Sequence, residues 1–132
     1  MATGTFVDII AWQKAHSFTL SVYNITKSFP KEDLFGLTSQ FRRAAVSIEA
    51  NIAEGYRRMG AKDKLHFFNI AQGSLEECRC YIILSRDLSY CTDDIASELT
   101  SIIEETSRYL NSYSKAVVKN NGINKTDRQT DN

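Results

Sequence analysis

The chain has 132 residues, 42% of them hydrophobic and 24% charged, which suits one soluble globular domain. Sixteen basic and sixteen acidic side chains cancel to a formal net charge of zero, so a globally basic nucleic-acid binder is excluded and any such surface must be local. One proline and six glycines argue against an array of turn-rich strands.

The first helix is expected over residues 8–28. Val7, Ile10, Ala11, Phe18, Val22, Ile25 and Phe29 recur at threes and fours, with one lapse at Lys14. Trp12, Ala15 and Tyr23 widen that apolar surface. Phe29-Pro30 ends the segment, because a residue before proline avoids the helical region. Residues 31–36 then connect to a second helix over 37–59, with Thr38 or Asp33 as its cap. Leu37, Phe41, Ala44, Ala45, Ile48, Ile52 and Tyr56 form its core face, within roughly 120° of arc at about 100° per residue.

A third helix is expected over 62–89. Leu65, Phe68, Ala71, Leu75, Cys78, Ile82 and Leu88 carry its period, and Phe67, Ile70, Tyr81, Ile83 and Leu84 add a second apolar surface. Gly73 sits mid-helix, where it costs about 1 kcal/mol against alanine and suggests close approach by another backbone. Thr92 caps a fourth helix that runs to about residue 119, with Asp93 and Asp94 at its positive end. Its buried face is marked by Ile95, Leu99, Ile102, Ile103, Tyr109, Leu110, Tyr113 and Val117. Residues 120–132 are polar and read as a disordered tail. The pattern is all-α: an up-down-up-down four-helix bundle over residues 1–119, followed by that tail.

The second helix is unusual in what it lacks. Gln40, Arg43, Ser47, Asn51, Glu54 and Arg58 fall within roughly 80° of one another and form a polar stripe. The remaining face carries the small residues Val46, Ala50 and Ala53, and between Ala44 and Tyr56 only Glu49 and Glu54 are charged. A helix on the outside of a monomer shows water a broad charged face. This one implies an oligomer with the second helix near a subunit contact. The stripe has two readings. One is a hydrogen-bonded network with Arg43 satisfied by Glu54 or Glu77. The other is a surface lining a shared channel or ligand site.

Charge is uneven along the chain. Residues 1–64 hold 9 basic and 6 acidic side chains, residues 65–105 hold 2 and 8, and residues 106–132 hold 5 and 2. Arg42, Arg43, Arg57, Arg58, Lys62 and Lys64 are the densest basic set, suited either to phosphates or to a solvated turn at a helix C-terminus. The acids of the third and fourth helices, among them Glu76, Glu77, Asp87, Asp93, Asp94, Glu98, Glu104 and Glu105, read as solvated faces or as a surface for a basic protein.

Enzyme chemistry finds little purchase. The only Asp/Glu-x-x-His spacing is Asp63 to His66, short of the repeated pairs of a di-metal bundle, and no glycine-rich phosphate loop occurs. Cys78, Cys80 and Cys91 are odd in number, and two cysteines two apart on a helix point away from each other. No catalytic residue, metal, cofactor or small-molecule substrate is expected. Neither a transmembrane run nor the basic and apolar regions of a signal peptide is present, so cytoplasm is expected.

The stretch Phe29-Pro30-Lys31-Glu32-Asp33-Leu34-Phe35-Gly36-Leu37-Thr38-Ser39-Gln40-Phe41-Arg42-Arg43-Ala44-Ala45-Val46-Ser47-Ile48, continued by Asn51-Ile52-Ala53-Glu54-Gly55, is distinctive. With Ile10-Ala11-Trp12-Gln13-Lys14-Ala15 and the run Phe67 to Glu77, it resembles the bacterial 23S rRNA-intervening-sequence proteins over about residues 6–118. That resemblance implies a four-helix bundle assembled as a ring, typically a homopentamer. Relatives of that family include the accessory variability determinant of diversity-generating retroelements, which looks like a basic barrel that binds a reverse transcriptase and nucleic acid. The chain departs from the family's usual pattern at Glu49-Ala50, where Pro-Ser is common, at Gly60, where a serine cap is common, and at Lys64, where an aromatic is common. Its zero net charge departs from the basic relative.

The expected function is a non-enzymatic oligomeric scaffold or adaptor. It would bind RNA, or a nucleic-acid-processing partner, through Arg42, Arg43, Arg57, Arg58 and Lys62. The polar stripe Gln40, Arg43, Ser47, Asn51 and Glu54 would lie at or near an interface. The alternative is a protein-interaction module with no nucleic-acid role.

Overall fold

Four helices occupy most of residues 5–120, the span described by a computed structural model of the chain. They are α1 (Ile10–Thr26), α2 (Ser39–Arg57), α3 (Ala61–Asp87) and α4 (Asp93–Asn120), and no strand occurs among the described residues. Residues 121–132, most of the expected tail, lie outside the described span. Helices α1 and α2, α2 and α3, α3 and α4, and α4 and α1 pack on one another.

The core is what the threes-and-fours pattern requires. Phe18 and Val22 of α1, Phe41, Ile48 and Ile52 of α2, Phe68 and Leu75 of α3, and Ile103 and Leu110 of α4 are fully buried together. Ala11, Ala15, Ala44, Ala45 and Ala71 are buried among them. No helix among the described residues is long and apolar enough to cross a membrane.

Several apolar positions expected inside are not. Ile10 is the first residue of α1 and is exposed. Leu88 follows the last helical residue of α3 and is also exposed. Tyr109 is exposed, and Tyr56 is half-buried. Position on a helix end, or at the edge of an apolar arc, outweighs period at these sites.

The connections are built from specific caps. Between α1 and α2 the chain makes a tight turn at Lys31–Asp33 and a wider, π-type turn at Leu34–Thr38, broken by non-helical angles at Gly36. Asp33 is the cap: its Oδ1 accepts from the Leu37 N–H at 3.1 Å, whereas Thr38 has helical angles and caps nothing with its side chain. The Asp33 carboxylate also accepts from Tyr90 Oη at 3.0 Å, which ties the α1–α2 link to the α3–α4 link and raises the Tyr90 phenol pKa.

Helix α3 starts at Gly60, which offers no side-chain cap. It ends in a Schellman arrangement, with Tyr90 N–H donating to Ser85 O at 2.8 Å and Ser89 N–H to Arg86 O at 2.9 Å. Ser89 takes the left-handed position with φ of 62°, one that glycine usually fills. Thr92 Oγ1 accepts from Ile95 N–H at 3.2 Å and caps α4 as expected.

Gly73 does not mark a close approach within the chain, since nothing lies within 4 Å of where its Cβ would be. Gly55 does. A Cβ there would meet Phe68 Cε1 at 2.5 Å and the Lys64 carbonyl at 3.1 Å. This glycine lets the end of α2 lie against the start of α3.

Candidate nucleic-acid interface

The helix spreads the singled-out residues of α2 lengthwise, some exposed and some half-buried against α1 or α3. Arg43 and Arg57 are fourteen residues apart, about 21 Å along the axis at 1.5 Å per residue. Within one chain the basic set is therefore not one patch. It divides into Arg42 and Arg43 near the α1–α2 link, and Arg57, Arg58 and Lys62 near the α2–α3 link.

The two ends differ in electrostatics. At the α2–α3 link, Glu54 takes both arginines. Arg58 Nη2 lies 2.6 Å from its Oε1, and Arg57 Nη1 lies 3.5 Å from the same oxygen. Arg58 also lies over the Phe67 ring, 4.6 Å from its centroid. Lys62 is exposed in the first turn of α3. Lys64 turns back to α2, where its Nζ donates to Tyr56 O at 2.6 Å, a cation on the orphan carbonyls of a helix end. Burial pushes the Lys64 pKa down. Much of this end's positive charge is thus spent inside the chain.

At the α1–α2 link, Arg42 Nε donates to Thr26 Oγ1 at 2.8 Å, and the guanidinium lies over the Tyr23 ring at 4.8 Å. Arg43 is exposed, and among the described residues it makes neither an ion pair nor a hydrogen bond. The expected pairing of Arg43 with Glu54 or Glu77 is not formed. Glu54 lies eleven residues further along α2 and is closer to Arg57 and Arg58. Glu77 lines the same groove as Arg43 but faces Tyr81 Oη, at 3.5 Å.

The polar stripe lines a groove of about 360 Å³ between α2 and α3, formed in part by Gln40, Arg43, Ser47, Ser74, Glu77 and Tyr81. Its floor is a hydrogen-bonded chain. Asn51 Nδ2 donates to Ser47 O at 2.8 Å and to Ser47 Oγ at 3.0 Å, and Ser74 Oγ donates to Ser47 Oγ at 2.7 Å. Tyr81 Oη reaches Gln40 Oε1 at 3.4 Å. Burial and the Glu77 carboxylate raise the Tyr81 phenol pKa. Asn51 and Ser47 thus reach α3 at Ser74 and Gln40 reaches it at Tyr81, while Arg43 stands at the groove's edge and Glu54 belongs to the arginine end.

Sequence reading missed Ser74 and Tyr81 as partners of this stripe. Both lie on α3 on the side that meets α2, and only the pairing of those helices reveals it. It singled out Glu49 but not its partner: the carboxylate is held by His16 Nδ1 at 3.1 Å under a Trp12–His16 ring stack at 4.8 Å. That acid is engaged within its own chain. His66 is exposed. No group of three or more His, Cys, Asp or Glu side chains among the described residues could hold a metal ion. Cys78 is buried, Cys80 is exposed and Cys91 lies between, all three as free thiols.

The sequence pattern of a family described as 23S rRNA-intervening sequence protein matches residues 7–112. None of the curated proteins matches the chain.

Proposed function

Because the chain belongs to the 23S rRNA-intervening sequence protein family, we propose that it is a non-enzymatic oligomeric scaffold or adaptor that binds RNA or a nucleic-acid-processing partner. In this reading the four helices run up-down-up-down and the bundles assemble as a ring, a homopentamer by resemblance, in the cytoplasm. A kinship with the accessory variability determinant of retroelements is part of the same reading.

One observation carries it. The outward stripe of α2 runs Ser39, Arg43, Val46, Ala50 and Arg57, all exposed; its charges are two arginines, of which Arg57 is paired with Glu54 beside the stripe. Small uncharged residues suit contact with a second subunit, and arginine forks suit phosphate oxygens. Repetition around a ring would let weak phosphate contacts act together through effective concentration.

A second reading, a protein-interaction module with no nucleic-acid role, draws on α3. Ile70, Ile83, Leu84 and Leu88 are exposed there beside Glu77 and Asp87.

Light scattering with the 260/280 nm absorbance ratio, at low and high salt, tests both. A pentamer-sized particle carrying salt-removable nucleic acid is expected. A nucleic-acid-free pentamer moves the weight to a protein partner, and a clean monomer defeats the interface argument for α2.

A further inference from the structure

Phe35 is the outlier of the surface. It is 93% exposed, on the wide turn just before α2, with Leu34 and Tyr23 partly exposed beside it. An aromatic ring held in water gains nothing for the fold. Next to it is an open pocket of about 380 Å³ lined by Tyr23, Leu34, Phe35, Thr38, Ser39, Arg42 and Arg43. Thr38 is 2% exposed, and its hydroxyl has no hydrogen-bond partner among the described residues.

The cations of this pocket are arranged for use. Arg42 is fixed by its Nε bond to Thr26 and by the Tyr23 ring beneath it, which leaves the two terminal amino groups of the fork outside that bond. Among the described residues Arg43 has no acidic partner. Of the two acids of the turn, Asp33 is committed to Leu37 N–H and Tyr90 Oη, and Glu32 is exposed. This contrasts with Arg57 and Arg58, which share Glu54.

Resting on the RNA-binding reading above, we propose that this pocket is the RNA contact and that its ligand is single-stranded, with one base stacked on Phe35 and the adjoining phosphate held by Arg42 and Arg43. An exposed ring beside cations is how single strands are bound without sequence preference, because every base has a stackable face. A duplex hides those faces, so an A-form helix cannot use Phe35. The alternative occupant, a second copy of this chain, is an outcome of the test, since Ser39 and Arg43 line the pocket and also begin the outward stripe of α2.

The test is fluorescence anisotropy of a labelled six-nucleotide oligoadenylate and of a twelve-base-pair RNA duplex, with the full chain. Phe35→Ala should weaken the single strand about 5-fold or more, the loss of one stacked base, and Phe35→Trp should retain binding. Arg43→Ala should weaken it and flatten the salt slope by about 0.7, one phosphate contact on a single strand. Both side chains are exposed, so the fold should tolerate the changes; unaltered circular dichroism checks this. Single-strand binding unchanged in Phe35→Ala and Arg43→Ala overturns this site and leaves the basic-patch reading standing. A change in assembly mass in Phe35→Ala assigns the ring to a subunit contact and overturns the proposal. No RNA bound by the unaltered chain at any salt overturns both readings.

Discussion

Gly55→Ala and Gly73→Ala place the same methyl group in two helices and should move stability in opposite directions. At Gly55 the new Cβ would lie 2.5 Å from Phe68 Cε1, 2.9 Å from Phe68 Cδ1 and 3.1 Å from the Lys64 carbonyl. Phe68 cannot swing aside cheaply, since it is 1% exposed and packed on Tyr113 with ring centroids 5.1 Å apart. Overpacking of this kind costs about 1–3 kcal/mol. Better helix propensity returns at most about 1 kcal/mol, and less near a helix end than in its middle. A net loss of about 1 kcal/mol follows, or roughly 3–6 °C in Tm for a chain of this size. At Gly73 nothing lies within 4 Å, so propensity acts alone and Tm should rise by a few degrees, for about 1 kcal/mol gained. Thermal melts followed by circular dichroism at 222 nm, at one fixed protomer concentration because assembly makes Tm concentration-dependent, read both. A Gly55→Ala variant as stable as the unaltered chain would refute the close-packing argument. A Gly73→Ala variant that loses assembly mass would show that the glycine serves a contact between chains.

Four further outcomes are expected. Ser89→Gly should stabilise by about 0.5–1 kcal/mol in urea denaturation, because glycine takes the left-handed cap position without the cost that serine bears. The Cys78 thiol is pushed up to about 12 by burial, from an ordinary 9.0. A thiol that holds its proton more tightly when folded destabilises the fold as pH rises through the unfolded pKa. Stability should therefore fall by about 1 kcal/mol between pH 9 and pH 10, and less in Cys78→Ala. A thiol reagent at neutral pH should label exposed Cys80 first and Cys78 only on unfolding. Glu54→Gln releases Arg57 and Arg58 from their shared acid and should tighten RNA binding a few-fold if that end also touches RNA; unchanged affinity in an anisotropy titration would remove that end from the interface.

Local chemistry was legible in the residues themselves. The helical periods placed Phe18, Phe41, Ile48, Phe68, Leu75 and Leu110 in the core, because burial follows the arc a side chain occupies on its helix. Thr92 was legible as a cap for the same reason: a hydroxyl three residues before an orphan N–H needs no distant partner. The sequence also carried the polar stripe of α2 and the family resemblance, since both depend on residue order alone.

What tertiary structure decided was partnership. The choice of Asp33 over Thr38 as the cap turned on the wide turn at Leu34–Thr38, and Tyr90, fifty-seven residues away, completes that carboxylate's bonds. Glu54 was a candidate for Arg43 by proximity on one helix, yet it pairs with Arg57 and Arg58, so the five basic residues separate into two ends of unequal free charge. Both glycines sit in helices, and only the packing of α3 against α2 tells the crowded Gly55 from the open Gly73. Periodicity reports which side of a helix faces inward. Which side chain of a neighbouring helix it meets there is set by axial offset and rotation between helices, and neither is written in the order of residues along one of them.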